Sequence, residues 1–266
     1  MVSVPAPPLT VPKNPSTGLV QELFGIPIAA VTMEDALARV EEAITRRERL
    51  QIGVVNAAKI VNMRRDTMLR EDVLSSDVIY ADGMAVVWAS RLLGRPLPER
   101  VAGIDLMKNI LARGAQKGWR VFCLGATDEV LDLAAKRMQA DYPGIAIVGR
   151  QHGYFSGAEE EAVARTIADT RPDVLFVAMT SPKKENFLAR WSGLIAAPVC
   201  HGVGGSFDVL AGKVERAPEA WQRLGLEWLY RVKQEPRRLW RRYLVTNTLF
   251  CGMVVSHLLR DRRPAR

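Results

Sequence analysis

Residues 77–94 read DVIYADGMAVVWASRLLG. The apolar run Val78–Ala81 stops at Asp82-Gly83, and a second apolar run of helical character starts at once. A short buried strand that ends on a polar turn and leads straight into a helix is the unit from which parallel sheets are built. The same unit recurs along the chain. Strand-like runs stand at IPIAAV, QIGVVN, RVFCLGA, IAIVG, DVLFVAM and APVCHGV, most of them separated by helical segments of ten or more residues. Thr32 and Asp35 make a capping-box start for the helix MEDALARVEEAITRR. The fold class expected is α/β, a Rossmann-like, mainly parallel sheet with helices on both faces. No internal repeat is evident.

The chain has 266 residues, 48% of them apolar, enough for a sizeable core. Cys123, Cys200 and Cys251 lie far apart, with no CxxC pair and no histidine at ligand spacing. That argues against a disulfide framework or a zinc site and for a reducing compartment. Residues 1–18 hold five of the fifteen prolines and lack the basic start and apolar core of a signal peptide. Residues 1–20 are expected to form a disordered tail, 21–215 the α/β domain, and 216–266 a C-terminal helical appendage.

The net charge of +8 belongs to that appendage. From Lys213 onward thirteen Lys or Arg face five Asp or Glu, a surplus of eight, so the rest of the chain balances to zero. On a helical wheel over EPRRLWRRYL, Leu239, Trp240, Tyr243 and Leu244 share one arc, and Arg237, Arg238, Arg241 and Arg242 the other. A basic helix with aromatic residues on its apolar side suits an anionic membrane surface. The plain alternative is a solvated basic face packed on the core. Tyr243–Leu259 follows with seventeen residues free of Asp, Glu, Lys and Arg, at the lower limit for spanning a bilayer, and is expected to insert shallowly or be buried. An exposed apolar appendage could also drive self-association away from a membrane, so a homo-oligomer is possible. No nucleic-acid module appears and the arginines adjoin a bulky apolar face, so no nucleic-acid partner is expected.

In open α/β sheets ligands bind outside the carboxyl ends of the strands. The groups found there are Asn56, Asp82-Gly83, Gly125-Ala126-Thr127, His152-Gly153-Tyr154, TSPKKE and VGGSFD. Each has a plain structural reading. Asp82 could be a helix N-cap or an ordinary turn residue. Gly125-Ala126-Thr127 lacks dinucleotide-fingerprint spacing, although a helix N-terminus there could receive a phosphate. Pro182 suits a first helical turn. His201 reads as a satisfied core histidine. Six polar or Gly-rich loops on one edge would nevertheless line one cleft suited to a nucleotide-linked substrate.

In order, NAAKIV, ADGMAVVWASRLLGRPLPERVAGIDLM, SPKKENFL, GVGGSFDVLAGKVERAPEAWQRLGLEWLYR and QEPRRLWRRYL resemble the WecG/TagA/CpsF glycosyltransferases over roughly residues 22–250. The resemblance implies inverting transfer of a sugar (N-acetylmannosamine, its uronic acid or glucose) from a UDP-sugar donor to a polyprenyl-diphosphate-linked acceptor. Such transfer serves bacterial cell-wall or extracellular polysaccharide synthesis, at the cytoplasmic face of the inner membrane, by a peripheral enzyme. By matching position, Asp82 falls on the catalytic base, Asn56 on an active-site amide and Arg100 on an arginine facing the donor or its diphosphate. Tyr154 and Asp208 fall on the uridine pocket. Arg231, Arg238 and Arg241 fall on residues that close over the site.

Two positions depart from the family pattern: Val54 stands where many members have Thr, and Lys184 where many have Gln. No D-x-D triplet occurs, so no metal or other cofactor is expected; cationic side chains and helix N-termini would stabilise the leaving UDP. The competing reading of the same residues is a non-catalytic UDP-sugar-binding partner of an assembly complex.

Overall fold

The structure, a computed structural model, describes residues 20–261. β1 (Val20–Leu23) and β2 (Ile26–Ala29) form a hairpin, followed by α1 (Met33–Arg46) and β3 (Leu50–Val55). Then come α2 (Ala57–Met63), α3 (Thr67–Leu74), β4 (Val78–Ala81), α4 (Met84–Leu92), α5 (Gly103–Lys117) and β5 (Arg120–Gly125). Next are α6 (Asp128–Asp141), β6 (Ala146–Gln151), α7 (Glu160–Asp169), β7 (Val174–Ala178), α8 (Lys183–Ile195) and β8 (Val199–Gly202). The chain closes with α9 (Ser206–Leu210), α10 (Glu219–Arg223), α11 (Glu227–Gln234) and α12 (Pro236–Asp261).

Six strands make one sheet in the order β4-β3-β8-β7-β5-β6, every neighbouring pair parallel. All residues of β4, β7 and β8 are buried, as expected of strands covered on both faces. The two faces separate by alternation. Val121, Cys123, Val174 and Phe176 pack into one cluster, and Phe122, Leu124, Leu175 and Val177 into another. The Thr32–Asp35 capping box starts α1 as the sequence predicts.

One expectation needs correction. The IPIAAV strand is β2, but it is not part of the main sheet; it pairs antiparallel with β1, which the sequence reading did not identify. Phe24 and Gly25 both have positive φ, the conformation of a tight hairpin turn. Ile26 and Ile28 then bury beside Val55 and Ile79 while Pro27 faces out. The expected 1–20 tail lies outside the described residues except for Val20, which opens β1. In the appendage the basic helix and the apolar segment after it form one 26-residue helix, α12.

The apolar arc of α12 is divided between packing and solvent. Leu239 is buried and Tyr243 leans on Trp228, with ring centroids 5.8 Å apart, whereas Trp240 and Leu244 are 54% and 59% exposed. Further along, Phe250, Met253 and Val254 join the core cluster that holds Ile60 and Met63 of α2. Phe250 and His257 both meet the Phe24 ring edge-on. Arg237, Arg238, Arg241 and Arg242 are all exposed. Among the described residues no helix is long and apolar enough to cross a membrane.

Candidate active site

Parallel pairing puts the carboxyl ends of all six strands on one edge, so the loops identified in the sequence line up there. Following the strand order, the edge carries Asp82 after β4, Asn56 after β3 and Asp208 in α9 after β8; Lys184 after β7, Gly125 ending β5 and Tyr154 after β6 complete it.

Asp82 is held at both oxygens. Its main-chain N–H donates to Val55 O at 2.9 Å, which anchors the residue to β3. Oδ1 accepts the Gly103 N–H at 2.8 Å, and Oδ2 lies 3.5 Å from Asn56 Nδ2. Gly103 is the first residue of α5, whose N-cap position is Ala102, a side chain unable to cap. Asp82 therefore does cap a helix, as its plain reading suggests, but the helix is α5 and not the adjacent α4, where Gly83 makes no side-chain cap. The positive end of the 15-residue α5 helix faces this carboxylate. Asn56 is equally fixed: its Oδ1 accepts the Lys59 N–H at 3.0 Å as the N-cap of α2, leaving the amide nitrogen for Asp82.

His201 lies behind this pair, fully buried in β8. Its Nε2 is 3.0 Å from Gly103 O, and Nδ1 has no partner. It is a core histidine only half satisfied. Burial pushes it down to about 4, so the ring is neutral.

Lys184 is not in open solvent but 7% exposed. Its Nζ donates to Glu185 Oε1 at 2.6 Å, and Lys59 Nζ donates to the same oxygen at 2.8 Å. Burial, with Lys59 alongside, lowers Lys184 to about 8. Burial alone would raise Glu185, but Lys59 and Lys184 together outweigh it and hold it at about 2. A cavity of about 20 Å³ adjoins the trio, lined by Val54, Ser76, Leu188 and Gly202 among others, with room for a single water. Neither Lys59 nor Glu185 was identified from the sequence; the available signal was Lys59 one turn after Asn56 and a carboxylate beside Lys184.

At the far end of the edge, Lys183 ties down the Tyr154 loop by donating to Gly153 O and Phe155 O at 2.8 and 2.9 Å. Gly153 N–H donates to Ala126 O at 3.0 Å, joining that loop to Gly125-Ala126. Tyr154 itself is 73% exposed, an unused ring at the rim. Gly125 has φ +121°, and a Cβ there would lie 2.3 Å from Ala178 O, so only glycine fits. Thr127 caps α6.

Arg100 meets the appendage. Its guanidinium donates to Glu227 Oε2 at 2.9 Å, to Asp105 Oδ2 at 3.3 Å and to Gln222 Oε1 at 3.4 Å. Arg216 grips Asp105 with both terminal nitrogens, at 2.6 and 2.7 Å. Arg231 lies 3.9 Å from the other oxygen of Glu227, Arg238 pairs with Glu235, and Arg241 is exposed. The structure thus brings Asn56 and Asp82 together and Arg100 and Arg231 onto one carboxylate. It does not bring Arg238 or Arg241 into contact with either group. Asp105, Arg216 and Glu227 were missed in the sequence, since the pairs Arg216–Asp105 and Arg100–Glu227 span 111 and 127 residues.

Among the described residues no three His, Cys, Asp or Glu side chains gather as metal ligands. Cys123 and Cys200 are buried thiols pushed up to about 12, so neither is a nucleophile.

The arrangement offers a fixed carboxylate, an amide, helix N-termini and guanidinium groups at one sheet edge, the elements needed to activate a hydroxyl and steady an anionic leaving group. The Bacillus spizizenii N-acetylglucosaminyldiphosphoundecaprenol N-acetyl-beta-D-mannosaminyltransferase is 45% identical over 175 residues, covering 65% of this chain and 67% of that protein. The family model for the WecG/TagA/CpsF glycosyl transferases matches residues 21–264. With the strand-end site and the ordered motifs all inside that match, the chain belongs to the WecG/TagA/CpsF glycosyl transferase family.

Proposed function

We propose that this glycosyltransferase moves a sugar from a UDP-sugar to a polyprenyl-diphosphate-linked acceptor with inversion, Asp82 serving as the base. The observation that carries the reading is the placement of Asp82, a strand-end carboxylate oriented by Gly103 N–H on one oxygen and Asn56 on the other. The acceptor hydroxyl attacks the anomeric carbon from the face opposite UDP. As the new C–O bond forms, the bond to the diphosphate breaks, its electron pair leaves with UDP, and Asp82 takes the hydroxyl proton.

UDP departs as an anion, and Arg100, the Gly125 loop and the appendage arginines Arg231, Arg238 and Arg241 are the groups proposed to receive it without a metal. Tyr154 and Asp208 are assigned to the uridine, and Lys184 to the sugar or diphosphate. The B. spizizenii relative is named for transfer of N-acetyl-mannosamine to an undecaprenyl-diphosphate-linked N-acetylglucosamine; N-acetylmannosamine, its uronic acid and glucose are the donors to test first. Residues 216–266 are assigned to membrane association. Trp240 and Leu244 would enter the interface, the exposed arginines would meet anionic lipid, and the protein would act peripherally on the cytoplasmic face.

The test is transfer from a panel of UDP-sugars to polyprenyl-diphosphate-linked acceptors in chelator, comparing the parent with Asp82→Asn. Asn can still accept the Gly103 N–H but cannot take a proton, so turnover should fall by about 10²-fold or more while the fold is kept. Full activity in the variant would return Asp82 to a capping role. UDP binding without turnover on any acceptor would instead support the non-catalytic reading.

A further inference from the structure

Gly103 is gripped from two sides. Its N–H holds Asp82 Oδ1 at 2.8 Å, and its carbonyl oxygen lies 3.0 Å from His201 Nε2. Gly103 O is already placed to accept the α5 backbone N–H four residues on, so the imidazole adds a second tie that α5 does not need in order to form. Nδ1 is left without a partner at 0% exposure. A buried orphan acceptor is destabilising, and an apolar side chain of similar shape would avoid that cost. A Leu or Phe would pack here as its neighbours do, because Phe176 meets the ring edge-on and the rest of β8 is buried. His201 is thus an unfavourable choice for packing, and what it provides is a donor aimed at the residue that orients the carboxylate.

We infer that His201 is a positioning residue for the transfer reaction: by donating from Nε2 to Gly103 O it fixes the first turn of α5, and with it the N–H that sets the direction of Asp82. The inference rests on the reading of Asp82 as base. With Nε2 donating, Nδ1 carries the lone pair, and the ring stays uncharged through the neutral range because burial pushes it down to about 4. An uncharged positioner holds the base without placing a cation behind it that would weaken its affinity for a proton.

The experiment compares the parent, His201→Leu, His201→Gln and Asp82→Asn, reading thermal midpoint, KM for the UDP-sugar, and kcat in the acceptor assay. His201→Leu removes the donor and the orphan acceptor together. Its thermal midpoint should match or exceed the parent's, its KM should stay within about twofold, and its kcat should fall roughly tenfold or more through misplacement of the base. His201→Gln carries an N–H that can reach Gly103 O and should recover most of the lost kcat.

In the double variant with Asp82→Asn, the two losses should not multiply, because both act through one carboxylate. An unchanged kcat in His201→Leu would overturn the inference, as would a kcat loss matched by a lower thermal midpoint and a raised KM, or failure of Gln to rescue. An active Asp82→Asn would remove the base reading and this inference with it. A dead Asp82→Asn beside a fully active His201→Leu would remove only the role of His201.

Discussion

Arg100 donates to Glu227 at 2.9 Å across 127 residues of chain, and the pair joins the loop before α5 to the first turn of α11. Asp105, gripped by Arg216 and touched by Arg100, extends the link, so two guanidiniums and two carboxylates bind the appendage to the sheet edge. These groups are only partly exposed, at 13% for Arg100 and 18% for Arg216. Removing a partner therefore leaves a charge that water reaches poorly. Asp105→Ala leaves Arg216 with no carboxylate and Arg100 with Glu227 alone, and should cost about 2–3 kcal/mol. Glu227→Ala strands one arginine that keeps Asp105, and should cost about 1 kcal/mol. Denaturant titration of the two variants checks the order; equal costs would show that Asp105 is not the shared anchor.

The Lys59–Glu185–Lys184 trio predicts a pH dependence whose sign is opposite to that of an ordinary stabilising ion pair. Burial lowers Lys184 in the folded state from 10.5 to about 8. Between those pH values the unfolded chain binds the proton that the folded chain has released, so stability rises with pH across that window. In Lys184→Gln this contribution is absent, and Glu185 keeps Lys59. The parent should gain thermal stability relative to the variant as pH rises from about 8 to 10. A constant difference between the two melting curves would show that the ammonium is not penalised by burial.

Gly125→Ala places a methyl carbon 2.3 Å from Ala178 O at φ +121°, and β5 cannot move away because it is paired to β6 and β7 along its length. A loss of roughly 3 kcal/mol or more is expected. Calorimetry should show a fall in melting temperature well beyond that of Gly157→Ala, whose Cβ meets nothing within 4 Å.

On α12 the exposed Trp240 and Leu244 lie one turn apart, flanked by exposed arginines. Replacing either apolar residue with Glu should reduce sedimentation with anionic phosphatidylglycerol vesicles by roughly tenfold each, since each removes an inserted side chain worth about 1.5–3 kcal/mol. The thermal midpoint should not change, because neither side chain is in the core. Binding to neutral vesicles should already be weak, and raised salt should weaken binding to anionic ones. Unaltered vesicle binding in the double variant would move the membrane contact elsewhere.

Local pattern was enough to read the strand-to-helix alternation, because parallel strands buried on both faces leave continuous apolar runs such as VIYA and VLFVA. It was enough for the α1 capping box, whose partners are three residues apart. It also placed Asn56, Asp82, Gly125, Tyr154, Lys184 and Asp208 at strand ends, since ligand-bearing loops in such sheets follow the strands. The hairpin at the start was missed because two four-residue strands carry too little periodicity to be distinguished from a single strand entering the sheet.

What only the tertiary structure decided were the partners. Sequence determined that a carboxylate ends β4; the sheet order determined that it caps α5, faces Asn56 and has His201 behind it. Sequence determined that arginines crowd the C-terminal end; packing determined that Leu239 and Tyr243 turn inward while Trp240 and Leu244 stay out, and that Arg100 meets Glu227. The division has one physical origin. Backbone propensity and apolar periodicity act over a few residues, whereas the hydrogen bonds and ion pairs that build the site join groups 21 to 127 residues apart, whose distance is set by which strands lie side by side.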